Sequence, residues 1–260
     1  MKKPHLFAIA FALNSSLTML AQDIVVVEMN DNTVQEFYVE DIERIIFRSA
    51  GVIPNDTTAY LTCPDYNHPH LIDLGLPSGT KWACCNVDAF IPEGDGGYFA
   101  WGETEEKEIY DDATYAYSTG IDENGDGFYD RDITYHSIGD DIAGTQYDVA
   151  HVKWGGTWRM PSIEQWYELF NDCRTKWTTQ NGVDGRLVTG PSGGSIFLPA
   201  SGGRAMWLLT FKGIYGKYWA SSINPDYEGG ASYVFFTSEF WDPTHYEYRT
   251  RGFSVRAVHQ

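Results

Sequence analysis

Basic residues are scarce in this chain. Lysine and arginine together number 18 against 36 aspartates and glutamates, leaving a formal net charge of −18 at neutral pH. They are scattered singly, whereas a phosphate backbone is gripped by a basic patch, so nucleic acid is excluded as a partner. Long apolar runs are missing too. Beyond the first residues no stretch approaches the roughly 20 that a membrane-spanning helix needs, and no transmembrane segment is expected. None of the seven histidines falls into H-E-x-x-H, and only His68 and His70 stand two apart. A Gly-x-Ser-x-Gly elbow and a phosphate loop are both absent. No succession of βαβ units is visible, which argues against a doubly wound nucleotide-binding fold. Acidic neighbours such as Asp140 and Asp141, or Glu105 and Glu106, carry no information in a chain this rich in acids.

What is present begins with Lys2 and Lys3, an apolar run from Leu6 to Leu13 and then SSLTMLAQ. This is the pattern that signal peptidase reads, and it predicts a signal peptide over residues 1–21 with cleavage after Ala21. No cysteine stands at that point to receive a lipid. The mature chain is therefore expected in the periplasm, at the cell surface or secreted. Aromatic residues make up 15% of the chain and glycines number 26, the composition of a loop-rich fold anchored by Trp and Tyr.

Residues 22–48 read as a small N-terminal β-hairpin unit. Ile24 to Glu28 and Val34 to Val39 are β-branched and aromatic runs split by Asn30-Asp31-Asn32. Residues 49–61, which include SAGVIPNDTT, have linker composition. The main body, 62–260, reads as an α+β domain of short antiparallel strands, few helices and long loops. One helix is predicted over PSIEQWYELFNDC, residues 161 to 173. Ser162 serves as N-cap, Gln165 completes a capping box, and Ile163, Trp166, Tyr167, Phe170 and Cys173 recur at helical spacing. Strands are predicted at Ser195 to Pro199, Tyr218 to Ser221, Ser232 to Thr237 and Gly252 to Val258. In the last, Phe253, Val255 and Ala257 alternate with Ser254, Arg256 and Val258, the pattern of a central closing strand.

The strings IDLGLPSGTKWACCNV (72 to 87), YFAWGE (98 to 103), WGGTWRMPSIEQW (154 to 166), SIFLPASGGR (195 to 204), KYWASS (217 to 222) and RGFSVRAV (251 to 258) occur in this order. Together they resemble the Fibrobacter succinogenes major paralogous domain family of exported proteins in Bacteroidetes and related bacteria. The resemblance covers residues 62–260. It implies a C-type-lectin-like scaffold, which is also that of formylglycine-generating enzymes. Those enzymes use cysteines near the final strand to hold copper and attack substrate. Arg251 to Val258 has none, so the resemblance implies binding without that chemistry, and no catalytic residue is assigned.

Export permits disulfides. The candidates are Cys63, Cys84, Cys85 and Cys173. A bridge between adjacent Cys84 and Cys85 would strain the ring they close, so each is expected to pair outward. The resembled family often carries a lone cysteine at the position of Cys85, which implies Cys85 with Cys173 and leaves Cys63 with Cys84.

The sharpest chemical signal is IDENGDGFYDRD, residues 121 to 132. Asp122, Asn124 and Asp126 alternate, Gly127 permits a sharp turn, Phe128 offers a carbonyl and Asp130 stands ninth, as in the first part of a calcium loop. The twelfth position is Ile133 instead of a bidentate glutamate. The expectation is a stand-alone calcium turn of weak affinity, about 10⁻⁴ to 10⁻³ M, set against an acidic solvated turn. Asn224-Pro225-Asp226 and Trp241-Asp242 are fainter echoes of lectin calcium and sugar motifs. Recognition usually sits on loops over a rigid scaffold. Residues 201 to 217 and 223 to 249 supply the candidate ligand-binding residues Arg204, Trp207, Tyr227, Trp241 and Tyr246, with Trp207 and Trp241 expected on an exposed surface. The function expected from these residues is an envelope or secreted binding or adhesion module for a glycan or protein ligand. The alternatives are a structural subunit of a pilus-tip-like surface assembly, and an unrecognised enzyme on a formylglycine-generating-enzyme-like scaffold.

Overall fold

The computed structural model describes residues 24–28, 34–38 and 70–259. The chain divides into two units, Met1–Thr58 and Ala59–Gln260. In the first, β1 (Ile24–Glu28) and β2 (Val34–Tyr38) pair antiparallel, Ile24 opposite Tyr38 and Glu28 opposite Val34. That is the expected hairpin. The signal segment 1–21, the linker 49–61 and Cys63 lie outside the described residues.

Among the described residues the second unit is mostly short antiparallel strands with two helices. Near its two ends, β3 (Leu71–Asp73), β4 (Lys81–Ala83) and β15 (Val258–His259) form one sheet in the order β15-β4-β3. Between them come a hairpin of β5 (Ser118–Ile121) and β6 (Arg131–Tyr135), and the helices α1 (Val149–Trp154) and α2 (Ile163–Asp172). A sheet of β7 (Arg174–Gln180), β8 (Val183–Thr189) and β9 (Ser195–Pro199) follows. Next is the hairpin of β10 (Gly203–Ala205) and β11 (Leu208–Thr210). Last is a sheet of β12 (Gly216–Ile223), β13 (Gly230–Phe236) and β14 (Trp241–Tyr248).

Helix α2 forms where its capping box predicts. Ser162 accepts from Gln165 N, and the Gln165 side chain accepts from Ser162 N at 3.0 Å. Its buried face is Trp166, Leu169 and Phe170, packed against Trp82, Tyr218 and Phe236. Burial of each such side chain contributes about 1.5–3 kcal/mol. Helix α1, which carries no long periodic stripe, is set by Asp148. This buried carboxylate accepts from Gly144, Ala150 and Met160 amides at 2.8–2.9 Å and from His151 N at 3.2 Å.

The expected strand over Gly252 to Val258 is corrected. Only Val258 belongs to a regular strand, and the preceding residues form single bridges to several neighbours: Gly252 to Arg204, Phe253 to Phe99 and Ser254, in parallel, to Tyr218. Each partner comes from a different segment, so no ladder can propagate. The alternation still sorts the side chains. Phe253, Val255 and Ala257 enter one core cluster and Val258 another. Arg256, wholly buried, ties the segment to Asn86 Oδ1 at 2.8 Å and to the carbonyls of Ala83 and Cys84 at 3.2 Å and of Phe197 at 2.9 Å.

Candidate functional site

A cavity of about 480 Å³ opens where the β12–β13 turn, the first turn of α2 and the segment after β6 meet. Its polar groups come from different elements: Asp140 from the segment after β6, Glu164 from α2, Asn224 and Glu228 from the turn, Ser232 from β13 and Tyr246 from β14. No lysine or arginine lines it, and among the described residues none of its three carboxylates is in a salt bridge. They are acceptors open to a ligand. Ile163, Ile223 and Pro225 add apolar wall.

Hydrogen bonds fix these walls. Ile223 N donates to Asp140 O at 2.9 Å, and Asn224 N to Gly230 O at 2.9 Å. The Asn224 side chain accepts from Asp226 N at 2.9 Å, the local bond that makes asparagine a turn former. Beneath them lies Arg249, wholly buried, whose Nη1 donates to Glu228 O and His136 O at 3.2 Å while Nε donates to the Tyr115 hydroxyl at 2.8 Å. Its guanidinium stacks over the Trp101 ring at 4.9 Å.

Tyrosines continue the site outward. In β13–β14 the register sets Ser232 opposite Tyr246 and Gly230 opposite Tyr248. Tyr246 and Tyr248, two apart on a strand, share a face. Tyr227 meets Tyr248 edge-on at 6.1 Å and Tyr135 edge-on at 6.2 Å. Burial and then the Asp112 carboxylate, to which its hydroxyl donates, raise the Tyr135 phenol above its ordinary value. Gly229 lets this row close: a Cβ there would stand 2.5 Å from the rings of Tyr135 and Tyr227.

The structure divides the five ligand residues predicted from sequence. Tyr246 lines the cavity and Tyr227 joins the row beside it. Arg204 and Trp207 sit apart from the cavity lining, on the β10–β11 hairpin, with Trp207 exposed and Arg204 lying over the Tyr98 ring at 5.2 Å. Trp241 is corrected. It begins β14 and stacks on Phe170 at 4.5 Å, part of the packing over α2 instead of an exposed platform. Asp140, Glu164, Glu228 and Arg249 were missed, because single acids in an acidic chain and a lone buried arginine leave no local signal.

The calcium-like segment forms the turn of the β5–β6 hairpin. Asp122 spends both carboxylate oxygens on backbone amides, accepting from Gly125 N at 2.7 Å, Asp126 N at 3.2 Å and Gly127 N at 2.8 Å. Asn124 accepts from Asp126 N, Asp126 from Phe128 N and Asp130 from Glu123 N, each at 2.8–2.9 Å. In this turn the side-chain oxygens of Asp122, Asn124, Asp126 and Asp130 close Asx-type bonds to backbone amides.

The Cys85 with Cys173 bridge is also corrected. Cys173 is a free thiol at the C-terminus of α2. It packs with the cluster over α2, whereas Cys85 is buried in a separate cluster with Cys84 and Ala89. Cys84 Sγ accepts from His70 N at 3.3 Å and lies 3.6 Å from His70 Nδ1. Among the described residues no helix is long and apolar enough to cross a membrane.

No protein-family model, no curated protein and no solved structure matches the chain.

Proposed function

We propose that this chain is an exported envelope or secreted binding module, built on a C-type-lectin-like scaffold, whose cavity and tyrosine row hold a glycan or a protein group displayed outside the cell. The observation that carries the reading is the conjunction at one place of unpaired carboxylates, an amide, hydroxyls and exposed tyrosine rings. A sugar offers hydroxyls to the carboxylates of Asp140, Glu164 and Glu228 and an apolar face to a ring, so the arrangement favours a glycan. Convergent polar groups on a concave surface are the general form of a ligand site, and tyrosine combines a large apolar face with a polar tip. The reading is of binding rather than catalysis: Arg251 to Val258, where the resembled copper enzymes carry thiols, has no cysteine.

A glycan array probed with wild-type protein, with Ser232→Trp, which fills the cavity, and with Tyr246→Ala, which strips its rim, tests this. Wild-type binding to a defined glycan class that both variants lose is the expected result. Retention of the same glycans by both variants overturns it.

A further inference from the structure

The wall of the cavity combines exposed acids with a buried hydroxyl. Asp140, Glu164 and Glu228 are exposed and come from three different segments. Ser232 lines the same space from β13 and is only 5% exposed. It stands opposite Tyr246 in the β13–β14 ladder, next to Ala231, which pairs with Ile223 of β12.

Strand β12 fixes the backbones that carry these groups. Ser221 N donates to Pro161 O at 2.9 Å at the entry of α2, whose first turn holds Glu164. Ile142 N donates to Ser221 O at 3.0 Å and Ile223 N to Asp140 O at 2.9 Å, which secures the segment of Asp140. The wall is therefore formed before any ligand arrives.

Ser232 points to a ligand independently of the acids. Among the described residues its hydroxyl has no hydrogen-bond partner in the protein, and neither has the Ser222 hydroxyl or Asn224 Nδ2, which line the same cavity. A buried polar group without a partner is costly. Here it faces a space of about 480 Å³, within the range of small-ligand sites.

Charge narrows the ligand class. No lysine or arginine lines the cavity. The buried Arg249 guanidinium, bonded to the carbonyls of Glu228 and His136, offsets one carboxylate of the three and leaves the wall negative. An anionic sugar is repelled by such a wall, and a neutral one leaves it without a countercharge. A protonated amine matches it. At physiological salt the screening length is about 8 Å, so that cation has to sit within the cavity itself. A lysine side chain supplies the charge but no hydroxyl for Ser232 and no ring face for Tyr246, which is half exposed. A hexosamine residue with a free amine supplies the charge, the hydroxyls and an apolar ring face.

We infer that the cavity selects a glycan bearing a free amine, its ammonium held among Asp140, Glu164 and Glu228, its hydroxyls at Ser232 and Asn224 and its ring against Tyr246. This rests on the binding function proposed above and names the ligand class of that site.

Calorimetric titration of the whole chain with glucosamine, N-acetylglucosamine and glucose oligomers of equal length and linkage tests it, since these differ only in carrying an amine, an amide or a hydroxyl. Oligolysine is the fourth probe. The glucosamine oligomer is expected to bind roughly tenfold more tightly than the other two saccharides, a preference that shrinks in high salt. The Glu164→Gln, Glu228→Gln double variant, changed at exposed positions, is expected to keep its melting temperature and lose most of that preference. Equal binding of the three saccharides overturns the inference and leaves glycan binding standing. Binding on the glycan array confined to glycans without an amine does the same. Binding of oligolysine in place of the glucosamine oligomer also overturns it, because the ligand is then a basic peptide. Binding to no saccharide, here or on the array, overturns both the inference and the glycan reading beneath it.

Discussion

Arg249 Nη1 donates to the carbonyl oxygen of Glu228 at 3.2 Å, so a wholly buried guanidinium sets the position of a carboxylate-bearing turn on the cavity wall. The same nitrogen holds His136 O beside cavity residue Ser137, and the guanidinium is sandwiched against aromatic rings.

Arg249→Met leaves two carbonyls and the Tyr115 hydroxyl short of a donor. Losing hydrogen bonds to a charged group of this kind costs about 3 kcal/mol. The expected result is a melting temperature lower by on the order of 10 °C for a domain of this size. Lysine does not restore it, because an ammonium lacks the planar fork that reaches several acceptors at once. A thermal scan in which Arg249→Lys equals wild type contradicts this role.

Ser162→Ala removes the cap from α2 and breaks both bonds of the box. A cost of about 1 kcal/mol is expected. Denaturant titration reads it as a lower midpoint at unchanged slope.

Asp122 holds its hairpin turn only while ionised. The hydrogen bond from Gly127, helped by those from Gly125 and Asp126, keeps its carboxyl below the ordinary aspartate value against the opposing effect of desolvation. A depressed folded value means that the contribution is full above the unfolded value and is lost as pH falls through the folded one. The Gly127 amide resonance is expected to move at pH below the ordinary carboxylate range, and Asp122→Ala to abolish that titration. A midpoint at or above the ordinary value contradicts the assignment.

Burial, then the neighbouring Asp172 and Glu168, push the Cys173 thiol up to about 11. At pH 8 its thiolate fraction is roughly a hundredfold below that of an ordinary thiol, and alkylation slows in proportion. The unfolded thiol ionises first, so stability from Cys173 is full below the unfolded value and erodes as pH rises toward 11. A non-reduced peptide map joining Cys173 to Cys85 contradicts the free thiol.

Much of the local architecture was legible in the sequence. The N-terminal hairpin, the α2 cap and the β9 strand stand where turn residues, the capping box and β-branched runs put them. These are short-range effects, fixed by residues a few positions apart. Trp241 was misplaced because its segment mixes Asp242, Pro243, Thr244 and His245, a loop composition, yet β14 is the edge of its sheet, where proline is tolerated. The cavity was legible only through Tyr246 and the Asn224 turn. Its other groups come from the segment after β6, α2, the end of β12, the β12–β13 turn and β13, and only the fold brings Asp140 beside Ile223 or sets Arg249 under Glu228. The β7–β8 hairpin also went unread, since Arg174 to Gln180 alternates charge and threonine with little apolar signal.

Calorimetric titration of Tyr246→Ala and wild type, with the glycan that wild type selects on the array, addresses the cavity claim most directly. An aromatic anchor at a ligand site contributes about 2 kcal/mol, which is roughly a thirtyfold weaker Kd once the ring is gone. Melting is expected to stay unchanged, because the side chain is half exposed. Equal affinity of the two proteins for that glycan would contradict the account.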